Sequence, residues 1–113
     1  MSGRASRRKG HDFERLIVAR LSCVFGNGQV RRGLQYRDGT DCPDVIAPGL
    51  WIECKRGRMT NPRAALRQAV SDSTGKGLWP VAVTKDDRDA PHVTMRLDDF
   101  VDLLAEWHAL RSR

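Results

Sequence analysis

Asp44, Glu53 and Lys55 are the residues of this chain whose types and spacing suit a reaction. Pro43-Asp44 is followed, after the turn-prone Ala47-Pro48-Gly49, by Glu53-Cys54-Lys55. In a strand over Leu50 to Lys55, alternation points Glu53 and Lys55 one way and Ile52 and Cys54 into the core. Two carboxylates are the hard oxygen ligands that Mg²⁺ prefers, and an amine beside them can hold a water or steady charge on a phosphate. The chemistry they suit is metal-assisted hydrolysis of a phosphodiester. That reaction needs a neutralised phosphate, an in-line water and a stabilised leaving oxygen. Electrostatic stabilisation asks less of Lys55 than service as a base, which would require its pKa to fall.

An isolated Glu-x-Lys on a strand is more often a solvated ion pair than a site. The surrounding elements argue otherwise. Asp44-Val45-Ile46 reads as a strand, and Ala47-Pro48-Gly49 turns it into Leu50 to Lys55, so Asp44 and Glu53 face each other across a hairpin-like meander. Upstream, Asp12 is expected to cap a helix whose apolar positions Phe13, Leu16, Ile17, Leu21 and Val24 recur until Gly26-Asn27-Gly28, with Glu14 in its first turn. Gln29 to Leu34 reads as a strand and Asp38-Gly39 as a turn. Downstream, Asn61-Pro62 starts a helix with Ala65, Leu66, Ala69 and Val70 as its apolar stripe, ending before Gly75. Leu78 to Thr84 is a buried strand that the crossover helix sets parallel to Leu50 to Lys55, with Pro80 marking an irregular start or an edge. His92 to Leu97 is a fifth strand. Asp98 caps a last helix with Phe100, Val101, Leu103, Leu104, Trp107 and Leu110 on one broad face. The expected fold is α/β, a central mixed sheet flanked by helices, in one domain over residues 1–113.

Charge separates the chain into two parts. Residues 1–37 hold nine Lys/Arg against Asp12 and Glu14, and residues 38–113 hold eleven against twelve acids. The excess of the net +6 therefore sits in the N-terminal third, and a localised basic face suggests a polyanion such as DNA. Arg4, Arg7, Arg8 and Lys9 form a basic arm, read as flexible, while Arg31, Arg32 and Arg37 fall near Asp44. Arg63 and Arg67 share a side of the crossover helix, where phosphate contact is open to them. Trp51 shares the strand face of Glu53, which suits edge packing or stacking on a base. Cys23, Cys42 and Cys54 have no paired spacing and fit a reducing compartment, and His11, His92 and His108 have no ligand spacing. With no apolar membrane span and no signal segment, the expected location is the cytoplasm, of a prokaryote or of a phage host.

Asp44, Glu53 and Lys55 in this order resemble the PD-(D/E)xK nuclease superfamily and, within it, the archaeal and phage-type Holliday junction resolvases. The likeness runs through the basic run and helix Arg7-Arg8-Lys9-Gly10-His11-Asp12-Phe13-Glu14. It continues through Ala65-Leu66-Arg67-Gln68-Ala69, Gly75-Lys76-Gly77 and Val81-Ala82-Val83. It implies a restriction-endonuclease-like core. It adds Glu14 and Gln68 to the catalytic set, although Glu14 alone reads as a helix-dipole residue and Gln68 as a surface amide. It makes the Cys54 backbone carbonyl a third metal ligand beside Asp44 and Glu53, with Mg²⁺, or Mn²⁺ in its place, as cofactor. Thr40 stands where the family often has a serine. The implied function is a structure-selective DNA endonuclease acting as a homodimer on four-way junctions; the broad apolar face of the last helix suits a dimer interface or packing on the sheet. The rivals are another small nuclease of the superfamily, VRR-NUC-like or restriction-type, acting on flaps or linear DNA, and a non-catalytic DNA-binding module.

Overall fold

A computed structural model describes residues 3–33 and 42–112. The N-terminal basic run is helical: α1 spans Gly3–Phe25, so the helix starts well before Asp12. Arginine, lysine and alanine are good helix formers, and Gly10 interrupts them at a cost of about 1 kcal/mol without stopping the helix. Asp12 is consequently no cap. It is exposed and accepts from Arg15 at 3.0 Å, and Glu14 lies in mid-helix, not in a first turn. Phe13 and Ile17 are the buried residues of α1, whereas Leu16 and Val24, expected on the same apolar face, are exposed.

Five strands follow their order in the chain: β1 (Arg31–Arg32), β2 (Val45–Ala47), β3 (Leu50–Gly57), β4 (Trp79–Asp86) and β5 (His92–Thr94). β1 is shorter than the expected Gln29 to Leu34; Leu34, the Asp38-Gly39 turn, Arg37 and Thr40 lie outside the described residues. β2 pairs antiparallel with both β1 and β3, β3 runs parallel to β4, and β5 returns antiparallel. Gly49 adopts φ +78° in the β2–β3 turn, a conformation open to glycine at no steric cost. β4 lies between β3 and β5, so it is not an edge strand; Pro80 is tolerated as its second residue, buried and level with Trp51.

α2 (Pro62–Asp72) is the crossover between the parallel strands. Asn61 caps it, its Oδ1 accepting from Ala64 N at 3.0 Å, and proline opens its first turn. The core packs Phe13 and Ile17 of α1 against Ile52, Cys54, Val81 and Val83, while Ala65 and Ala69 of α2 are buried against β3 and β4. β3 is thus buried on both faces through residues 51–54, more than simple alternation foretells. The last strand stops at Thr94, and α3 (Leu97–Arg111) follows with Arg96 at the cap position and Asp98 in the first turn, so Asp98 is not the cap. No residue of α3 is buried.

Candidate active site

The register Val45↔Ile52 continues one step back to set Asp44 opposite Glu53, and both residues are buried. Asp44 Oδ2 accepts the Cys54 backbone N–H at 2.8 Å, which fixes the first carboxyl to the strand that carries the second. Glu53 Oε1 accepts the Trp51 indole N–H at 3.1 Å. Trp51 therefore neither stacks on a base nor packs at an edge. It is buried two residues before Glu53 on the same face, and Lys76 Nζ lies 5.6 Å above its ring. Burial pushes the Glu53 carboxyl up to about 8, helped by the charge of Asp44 and a hydrogen bond shared with it, against the pull of Trp51 and Lys55. Burial and the same carboxylates hold the Cys54 thiol neutral.

Lys55 is exposed at the open end of the strand. It lines one cleft of 320 Å³ with Gln68 of α2, so the structure brings these two expected site residues together. Thr60, which lines the cleft, is held by Asp86 at the end of β4, whose Oδ1 accepts Thr60 N at 2.8 Å and Thr60 Oγ1 at 2.6 Å. Those bonds hold its pKa below the usual carboxylate value. Sequence inspection gave Asp86 and Thr60 no role.

Glu14 joins the site from α1. It is half-buried and accepts from Arg32 Nε at 3.0 Å. Burial raises its pKa, Arg32 opposes, and the charge of Asp44 raises it further, so Glu14 and Asp44 sense each other. Arg32 is thereby engaged by Glu14, whereas Arg31 beside it is exposed. Arg4, Arg7, Arg8, Arg63 and Arg67 are exposed on α1 and α2, and Lys9 is half-buried. Gly33, not singled out from sequence, donates its N–H to Asp44 O at 2.9 Å and lies so close to the Pro43 carbonyl that a Cβ would collide with it. A glycine beside a strand is the signal that could have revealed this approach.

The donor set fits Mg²⁺. Two buried carboxyls, of which burial and the Asp44 charge raise the pKa of Glu53, are a pair that a divalent cation would relieve, and Mg²⁺ is commonly held by one or two carboxylates plus water and phosphate. Among the described residues no three His, Cys, Asp or Glu side chains converge, so any further ligands would be backbone, water or substrate oxygens.

No family model matches the chain. None of the curated proteins matches it at significance. Among solved structures, that of Archaeoglobus fulgidus Hjc, a Holliday junction resolvase from an archaeal hyperthermophile, is similar. Its TM-score is 0.54 at 24% identity, over 77% of this chain and 72% of that one. A five-stranded mixed sheet with helices on its faces, built around the Asp44–Glu53 pair, thus has the α/β fold of an archaeal Holliday junction resolvase.

Proposed function

We propose that this chain is a metal-dependent, structure-selective DNA endonuclease, and within that class a Holliday junction resolvase. The observation that carries the reading is the buried Asp44–Glu53 pair held across β2 and β3, with Lys55 at the exposed end of the same strand. Asp44, Glu53 and the Cys54 carbonyl would hold Mg²⁺, which supplies charge neutralisation at the phosphate and a more acidic attacking water. Lys55 stabilises charge on the scissile phosphate from the cleft that it shares with Gln68. Glu14 adds negative potential beside Asp44 and orients Arg32. The basic surface of α1 supplies affinity for the DNA backbone.

The junction reading is supported by the fold shared with a resolvase and by α3. Phe100, Val101, Leu104, Trp107 and Leu110 are all exposed on that helix. A single chain of this size gains from covering such a face. A second copy would cover it and present two matched sites to a four-way junction, whose own symmetry is approximately two-fold. The testing experiment compares cleavage of a labelled immobile junction with linear duplex, flap and single strand, with and without Mg²⁺. Paired cuts in opposed strands of the junction, dependent on Mg²⁺ or Mn²⁺, are expected. Preference for flap or linear duplex would favour the VRR-NUC-like or restriction-type reading, and equal rates in EDTA would overturn the metal mechanism.

A further inference from the structure

Arg56 follows Lys55 on β3 and, by strand alternation, turns to the opposite face, where α1 lies. There it lines an open groove of 440 Å³ with Arg4, Arg8, Lys9 and Asp12. Arg4 and Arg8 are one helical turn apart on α1 and so share a face. Arg56 Nε is buried without a hydrogen-bond partner among the described residues, while the side chain as a whole is 28% exposed and so open to a ligand. A guanidinium whose Nε makes no hydrogen bond is loosely held by the protein, and a phosphate oxygen is among the best acceptors for its exposed part. Asp87 is a counter-ion shared by two of these cations, its Oδ1 standing 3.4 Å from Lys9 Nζ and 3.9 Å from Arg56 Nε. Asp12, the other acid of the groove, is already paired with Arg15 at 3.0 Å. Four cations thus line a space near which Asp12 is engaged by Arg15 and the single carboxylate of Asp87 is shared by two of them, with room for a sugar-phosphate segment.

We infer that this groove is a second phosphate site, adjoining the Lys55–Gln68 cleft of the proposed centre. It takes a backbone phosphodiester of bound DNA, with Arg56 as its anchor and Asp87 as an internal counter-ion that the phosphate replaces. It rests on the nucleic-acid reading above and extends it: Arg56 also borders the cleft of Lys55 and Gln68, so the groove adjoins that cleft and one DNA backbone runs from the first to the second.

The test measures binding of a fluorescent immobile junction by anisotropy in Ca²⁺ across a salt series, with cleavage in Mg²⁺ read separately. Arg56→Gln should weaken binding about tenfold and reduce the salt slope by about 0.9, while Arg56→Lys retains the slope. Asp87→Asn should tighten binding about threefold, because the competing acid is gone. Thermal melting of each variant separates these effects from loss of fold. Unchanged affinity and slope in a folded Arg56→Gln protein would overturn the site, as would unchanged or weaker binding by Asp87→Asn. Displacement of the junction by low-millimolar inorganic phosphate at constant ionic strength would overturn the polynucleotide assignment. A protein that shows both variant effects but cuts no DNA would leave this site standing and remove the nuclease reading; one that cuts normally with neither effect does the reverse.

Discussion

Asp44 and Glu53 depend on each other, and their coupling has a measurable sign. The folded protein raises the Glu53 pKa from 4.5 to about 8, so the fold favours the protonated carboxyl. The stability that this contributes is fully present below the ordinary pKa and is lost as pH rises through about 8. Metal-free protein should therefore unfold at lower denaturant at pH 8.5 than at pH 5. Glu53→Gln should flatten that slope, and added Mg²⁺ should restore stability at high pH in the wild type alone. In turnover, Asp44→Asn, Glu53→Gln and Lys55→Ala are each expected to lower cleavage by about a hundredfold or more with DNA binding largely kept, as single-turnover rates and anisotropy would report. Gly33→Ala tests the backbone beneath Asp44. Its new methyl meets the Pro43 carbonyl and Cys42 Sγ, so a destabilisation of about 1–3 kcal/mol and a loss of cleavage are expected together. The carboxylates and lysine were legible because their chemistry demands those residue types. Gly33, Trp51 and Asp86 were not, since their roles depend on a close approach, an indole direction and a loop contact that only the folded chain defines.

At the level of elements, hydrophobic spacing located α2 and the parallel pair β3 and β4 well, because caps, proline and a buried run each point the same way. It failed at the start of α1. Gly10 and Asp12 look like a boundary, yet Lys9 reaches Asp87 at 3.4 Å and helps tie the basic segment to the body. It also failed at Leu16 and Val24, where helical periodicity marks a stripe wider than the sheet covers. A Cβ at Gly10 would meet nothing within 4 Å. Gly10→Ala is accordingly expected to raise stability by about 0.5–1 kcal/mol in urea denaturation, with circular dichroism showing no less helix. If residues before Gly10 formed no helix, the substitution would be close to neutral.

The whole molecule is longer than its chain length suggests, with a Cα radius of gyration of 14.5 Å, where about 13 Å is ordinary for this size. α3 has no buried residue, so its apolar side chains can be changed with little effect on the monomer's core. Leu104→Glu and Trp107→Glu should turn a dimer into a monomer in light scattering at unchanged melting cooperativity, and should replace paired junction cuts by unpaired nicks. A wild-type monomer, free and DNA-bound, would remove the resolvase symmetry. The sheet order has a further consequence, for the timing of assembly. Each strand pairs with its neighbour in sequence, and the parallel β3–β4 pair must wait for a helical crossover to close between its strands. Non-local closure of that kind is the slow step in small domains. Glu53 and Lys55 ride on β3, so a nascent chain holds its basic helix before it holds the Asp44–Glu53 pair, and on the proposed function the capacity to cut would mature later than the capacity to bind.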